Sequence, residues 1–128
     1  MNWNSGFVPV VTIASEFIVD ADSSHITSTI VDGMNDESVF RIVNSNWSGS
    51  DSLVFVGFTV TNGKASNNWP GGGGFSIDNS YVSLSDMIIT ENISGNNGGG
   101  IGITGGHVSF HNTVVSYNQA SNDGGGIG

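Results

Sequence analysis

The 128-residue sequence predicts an all-β fold, a right-handed parallel β-helix (a solenoid) of about four coils with three short strands in each coil. Two observations carry this prediction: an internal repeat of 26 to 30 residues, and an alternation of apolar and polar residues within each repeat. Side chains of a strand point alternately to opposite faces, so a period of two indicates strands. No segment shows helical spacing.

The repeat is clearest where residues 75–100 align with residues 101–126 without a gap. Eight of the 26 aligned pairs are identical, including Asn92 with Asn118. Two runs of three glycines also coincide: Gly98, Gly99 and Gly100 with Gly124, Gly125 and Gly126. A repeat of this length is typical of folds in which each unit packs on its neighbours.

The earlier repeats are less regular. Residues 55–63 align with residues 84–92 at a shift of 29, and residues 27–33 align with residues 57–63 at a shift of 30. One apolar column of the alignment is then Ile30, Val60, Ile89 and Val115. We therefore expect a single domain with repeats over residues 27–128, preceded by one or two irregular coils over residues 1–26. The last repeat has no evident cap, so we expect a fragment of a longer solenoid.

A leucine-rich repeat is the alternative for units of this length, because LSDMIITEN, residues 84–92, resembles the strand half of that motif. That fold needs a second apolar half in each unit, and the chain has only two leucines, Leu53 and Leu84. The alternating pattern in the rest of each unit favours the β-helix.

The glycine runs and the paired asparagines have structural explanations in such a fold. Neighbouring coils lie about 4.8 Å apart, so side chains in a tight stacked turn would collide, and glycine also permits positive φ. We expect the glycines to form a low ridge of stacked turns. We expect Asn92 and Asn118 to form a ladder in which each side-chain amide bonds its neighbour.

The run GGGIG after VSFHNTVVSYN resembles the repeats of bacterial right-handed β-helix surface proteins of the pectin lyase-like superfamily. It is similar to the polymorphic outer-membrane protein repeats, whose marks are a GGA-I motif and an F-x-x-N motif. Here glycine replaces the alanine of the first motif, and Thr113 stands where the second motif has asparagine after Phe110. The resemblance covers roughly residues 27–128. It implies the fold and an extracellular or cell-surface location in bacteria, but no single activity, because the superfamily includes lyases, hydrolases and adhesins.

The charge balance excludes one class of partner. Two cationic side chains, Arg41 and Lys64, stand against eleven carboxylates, for a net charge of -9. Nucleic-acid binding depends on Lys and Arg neutralising phosphates, so this acidic chain predicts no nucleic-acid partner. No apolar stretch is long enough to span a membrane, and the first residues do not form a signal peptide.

A catalytic reading rests on three carboxylates, Asp32, Asp86 and Glu91. In the alignment Asp32 and Glu91 lie two coils apart in one outward column, which corresponds to roughly 10 Å. Inverting glycosidases keep their acid and base about 6.5–9.5 Å apart. The alternative is that these are solvated carboxylates on an acidic surface.

Binding candidates are few. Trp47, Trp69 and Tyr117 are aromatic residues in loops or at corners, where rings can stack on sugars. Oxygen-rich turns make weak Ca²⁺ candidates of Asp20, Asp22, Asp32 and Asp36. No other cofactor is indicated.

The sequence thus favours a structural or adhesive module that presents loops to a glycan or protein partner at a cell surface. The alternatives are a carbohydrate-active enzyme, either a glycoside hydrolase or a polysaccharide lyase, and a module that self-associates through open β-helix ends.

Overall fold

The computed structural model describes residues 10–43, 53–66 and 71–128. The chain is mostly β, as predicted, and the strand pairs are parallel. In chain order the elements are β1 (Val11–Ala14), α1 (Phe17–Asp20), α2 (Ser24–Ser28), β2 (Ile30–Asp32), β3 (Phe40–Val43), β4 (Leu53–Val56), β5 (Thr59–Thr61), β6 (Lys64–Ala65), β7 (Phe75–Ser85), β8 (Ile88–Thr90), β9 (Ile93–Ser94), β10 (Ile101–His111), β11 (Val114–Ser116) and β12 (Gln119–Ala120).

The strands form three sheets. The first sheet has the order β1-β4-β7-β10, with β3 also paired to β7. The second has the order β11-β8-β5-β2, and the third has the order β12-β9-β6. The last two repeats each contribute one strand to every sheet, so each of these repeats has three strands, the number predicted.

The division of each repeat into strands differs from the prediction. Three short strands were expected in each repeat, but one of the strands observed is long: β7 has eleven residues, and β10 has the same length. The backbone turns within these strands at Asn79, with φ of 45°, and at Gly105 and Gly106. Because pairing resumes after the turn, the strand continues. The third strand of the repeat is the two-residue β9, which is too short to show a period of two.

Strand registers confirm most of the alignment. Phe75 pairs with Ile101 at the shift of 26, and Phe55 pairs with Leu84 at the shift of 29. The earliest shift was wrong by one residue, because Val31, not Ile30, pairs with Val60. The turn after β2 contains Met34 and Asn35, both with positive φ. A slip of one residue reverses the face of every side chain, and Ile30 is accordingly 56% exposed.

Two short helices were not predicted. They comprise four and five residues, too few for a 3.6-residue period to be visible. Helix α2 lies against the second sheet, where the Thr59 hydroxyl donates a 2.7 Å hydrogen bond to the Ile26 carbonyl. Both helices fall within or just after residues 1–26, the part expected to be irregular.

The core lies between the first and second sheets and is centred on the middle repeats. The Phe40 and Phe75 rings stack at 4.9 Å, and the Phe55 ring meets Phe75 edge-on at 5.1 Å. A third buried ring, Phe58, joins them, and the other buried core side chains are aliphatic or sulfur-containing: Ile42, Val60, Ile77, Val82, Leu84, Met87, Ile89 and Ile101. Burial decreases in the last repeat, since Leu84 is fully buried while its partner Phe110 is 43% exposed.

Candidate functional site

The glycine runs occupy a stacked turn between the third sheet and the first. Gly73, Gly99 and Gly125 lie in successive repeats, and the Gly73 amide donates to the Gly99 carbonyl at 2.9 Å. A Cβ on Gly99 would lie 2.3 Å from the Gly125 carbonyl oxygen, a distance that real Cβ atoms do not reach. Gly98 and Gly124 have positive φ, of 62° and 64°. Close approach and backbone conformation therefore both require glycine here.

Asn92 lies between β8 of the second sheet and β9 of the third and is fully buried. Its amide nitrogen donates to Asn118 Oδ1 at 3.0 Å, and its Oδ1 accepts a 2.9 Å bond from the Gly63 amide. The same nitrogen lies 3.1 Å from the Val60 carbonyl. One side chain thus joins three successive repeats, and Asn118 continues the row by donating to the Ile89 carbonyl at 2.9 Å.

The three candidate catalytic carboxylates are not gathered at one point. Asp86 precedes β8 and Glu91 follows it, so they flank opposite ends of the strand. Asp32 lies at the Glu91 end, two strands away, because it pairs with Thr61 and through it with Thr90. Asp86 therefore does not lie beside Asp32 or Glu91.

The corner after the second sheet is lined by residues in the left-handed conformation. Asn62, Glu91 and Tyr117 follow β5, β8 and β11 with φ between 52° and 57°. By register Gly33, not Asp32, is the equivalent position in the first repeat. Asp32 still belongs to this corner, because the Asn62 amide donates to its Oδ2 at 3.2 Å. Tyr117 is 88% exposed, whereas Trp47 and Trp69 lie outside the described residues.

Two of the four calcium candidates, Asp20 and Asp22, accept hydrogen bonds from the local backbone. Asp20 Oδ1 accepts from the Asp22 amide and Asp22 Oδ1 accepts from the Ser24 amide, each at 2.9 Å. The second Asp20 oxygen lies 3.1 Å from His25 Nε2. These bonds lower the pKa of both carboxyl groups, chiefly through the backbone amides of Asp22 and Ser24. Over residues 10–43, 53–66 and 71–128, no group of three or more His, Cys, Asp or Glu side chains is arranged to hold a metal ion.

Both carboxylate oxygens of Asp86 accept hydrogen bonds from neighbouring side chains. Its Oδ1 accepts a 2.6 Å bond from the Asn112 side-chain amide, and its Oδ2 accepts a 2.7 Å bond from the Ser85 hydroxyl. The Asn112 bond, followed by the Ser85 bond, holds the pKa of Asp86 below its usual value, with a smaller contribution from His111. The carboxylate is therefore ionised at neutral pH with a fixed orientation.

A groove of about 290 Å³ opens beside Asp86. One wall is helix α2, and the floor is the outer face of the second sheet. The residues that line it include Ser23, Ile26, Thr27, Asp86, Ile88 and Val114. Sequence reasoning selected Asp86 but missed this wall, because a five-residue helix leaves no periodic signal in the sequence.

A second, smaller pocket of about 180 Å³ lies beside β3 and the third sheet. Its lining is polar and contains one of the two cationic side chains of the chain: Glu37, Ser38, Arg41, Ser66 and Ser76. Arg41 and Glu37 both line it without an ion pair between them in the described ranges.

None of the helices in the described ranges is both long enough and apolar enough to cross a membrane. The chain matches no protein-family model, no curated protein and no solved structure.

Proposed function

We propose that this chain is a structural module, built as a right-handed parallel β-helix of about four coils, that presents its outer surface and loops to a glycan or protein partner. The observation that carries the proposal is the series of parallel strand pairs, in which equivalent positions of the last two repeats are in register in all three sheets. Repeats stacked in this way form an extended surface whose outer positions vary while the interior is kept.

The fold part of the proposal has further support in the turns. Glycine runs and the hydrogen-bonded asparagines Asn92 and Asn118 occupy equivalent positions in successive repeats, as they do in stacked coils. The similarity of GGGIG to repeats of the pectin lyase-like superfamily suggests the same architecture and a bacterial cell-surface location. A crystal structure in which the three sheets did not enclose one core would contradict this part.

Partner binding can be tested with an array of neutral and acidic glycans probed with the labelled chain. The acidic surface predicts binding to neutral glycans in preference to acidic ones, because like charges repel. Tyr117 is 88% exposed and could stack on a sugar ring, so Tyr117→Ala is expected to reduce the signal. Tyr81→Ala is the matched control, because Tyr81 is less exposed and lies on the first sheet. Equal binding of all three chains would count against glycan presentation through this corner.

Self-association is the second candidate, and the exposure of the last repeat favours it. Phe110 continues the buried position and the strand pairing of Leu84 in the preceding repeat, yet it is 43% exposed. An exposed strand edge with apolar side chains is a template for further pairing. Sedimentation velocity over a concentration series, with electron microscopy of the heaviest fraction, should then show dimers or filaments.

A variant pair makes this second test specific. Phe110→Lys puts a charge on the apolar face of β10 and should abolish assembly. His107→Lys changes an exposed residue on the other face of the same strand and should leave assembly intact. A monomer at all concentrations would refute the second candidate.

A further inference from the structure

The groove between α2 and the outer face of the second sheet is lined by aliphatic side chains and has a carboxylate at its edge. Its wall and floor are largely aliphatic, with Ile26 on the helix side and Ile88 and Val114 on the sheet side. At its edge stands Asp86, an oriented carboxylate. The groove exists because α2 covers Thr59 in the fifth strand but does not extend over the next two strands, so Ile88 and Val114 remain accessible.

Asp86 retains acceptor capacity and lacks a permanent counter-ion. A carboxylate has about four lone-pair positions, of which Asn112 and Ser85 occupy one on each oxygen. Neither Arg41 nor Lys64 pairs with it in the part of the chain that the structure describes. An ionised acceptor beside an apolar groove is complementary to a cation carried on an aliphatic stem.

We propose that this groove binds a lysine side chain of a protein partner, with the stem over Ile88 and Val114 and the ammonium group at Asp86. The inference rests on the proposed function, because it specifies the chemistry of a partner that the outer surface receives.

Lysine fits the groove better than arginine does. A guanidinium binds a carboxylate best through two parallel bonds and would need the remaining lone pair of both Asp86 oxygens, whereas an ammonium needs only one of them. An ammonium is a compact charge with three freely directed donors. The Thr27 hydroxyl, which donates its own proton to the Ser24 carbonyl at 3.1 Å, offers a second acceptor on the helix wall.

The test uses Nα-acetyl-lysine methylamide as the probe and nuclear magnetic resonance of the isotopically labelled chain. We expect saturable chemical-shift changes centred on the amides of Ile88, Asn112 and Val114, with weak affinity because a single side chain is bound. The norleucine analogue keeps the stem and lacks the ammonium, and the arginine analogue keeps the positive charge. Both are expected to bind at least about tenfold more weakly, a ratio that corresponds to one charge-assisted hydrogen bond.

Two variants and a control complete the design. Asp86→Asn keeps an acceptor for Asn112 and suits the positive φ of this position, so it should fold normally and weaken lysine binding about tenfold. Thr27→Val removes the second acceptor without touching the sheet and should weaken binding severalfold. Asp123→Asn removes the same charge at an exposed site in the last glycine turn and should leave binding unchanged.

Several results would overturn the inference: equal binding of the norleucine analogue, tighter binding of the arginine analogue, no loss in Asp86→Asn, an equal loss in Asp123→Asn, or no saturable shift. Because the probe is a free lysine derivative, this test is independent of the glycan array and the sedimentation experiment. Its failure removes the groove as a lysine site and leaves the proposed structural module in place.

Discussion

Replacing Asn92 with alanine tests whether the buried amide row holds the repeats together. The Asn92 side chain accepts one bond from the Gly63 amide and donates to carbonyls of its own and the preceding repeat and to Asn118. Alanine makes none of these bonds. The buried Gly63 amide would lose its side-chain partner.

The magnitude follows from the bonds lost. The two amide protons and the one accepting oxygen correspond to about three hydrogen bonds, each worth about 1 kcal/mol net. A buried donor left without a partner adds about 1–3 kcal/mol. We therefore expect a loss of roughly 4–6 kcal/mol in the free energy of unfolding, which is large against the roughly 5–15 kcal/mol of a typical domain.

Urea denaturation followed by tryptophan fluorescence and by far-ultraviolet circular dichroism measures this loss. With a slope of about 2 kcal/mol per molar urea, the midpoint should fall by roughly 2–3 M. Asn122→Ala is the control, because its amide joins the same kind of repeat neighbours, donating to Asn96 Oδ1 at 3.0 Å, but in an exposed position. A fall of less than about 0.5 M for Asn92→Ala, or equal falls for both variants, would refute the reasoning.

Three further predictions concern single positions. Gly99→Ala should destabilise the fold by about 2 kcal/mol or more, because the added Cβ would meet the backbone of the next repeat. Gly126→Ala should change stability by less than about 1 kcal/mol, because its Cβ would lie 3.5 Å from the nearest side-chain atom. Thermal unfolding of both variants measures the difference. Leu84→Ala should cost about 2–5 kcal/mol and Phe110→Ala clearly less, since only Leu84 is fully buried; similar urea midpoints for the two would contradict this. The folded-state pKa of Asp86 lies below the unfolded value of 3.8. The ionised carboxylate therefore stabilises the folded chain above that pH, and this contribution is lost as the pH falls through the folded-state pKa. The difference in melting temperature between the wild type and Asp86→Asn should shrink between pH 6 and about pH 2.

The central architecture could be predicted because identical constraints recur at fixed intervals. Phe75 and Ile101, or Ile89 and Val115, are paired neighbours in the structure, and their apolar character and spacing are visible in the sequence. The glycines and Asn92 stood out for the same reason. Positions that must avoid a clash or bury an amide tolerate few residue types, so the same residue type recurs at these positions in successive repeats.

The parts that escaped prediction lack such recurrence. Helix α2 occurs once and is too short for a period, so the wall of the groove was invisible. The register of β2 depended on a turn with two left-handed residues, Met34 and Asn35, which the pattern could not distinguish from a strand one residue longer. Asp86 was selected as a carboxylate near the column of Asp32 and Glu91, whereas the geometry of its bonds to Asn112 and Ser85 depends on the turn that brings these side chains together.

One feature of the first sheet bears on how such chains change over time. The two halves of β7 pair with different strands, β3 before its bend and β4 after it. Three residues separate Asp78 from Val82, whereas nine separate their partners Val43 and Leu53. Six residues have thus been accommodated without altering the pairing on either side. The segment opposite the bend, between β3 and β4, can therefore change in length without changing the strand pairing. Related chains are expected to differ most in length here.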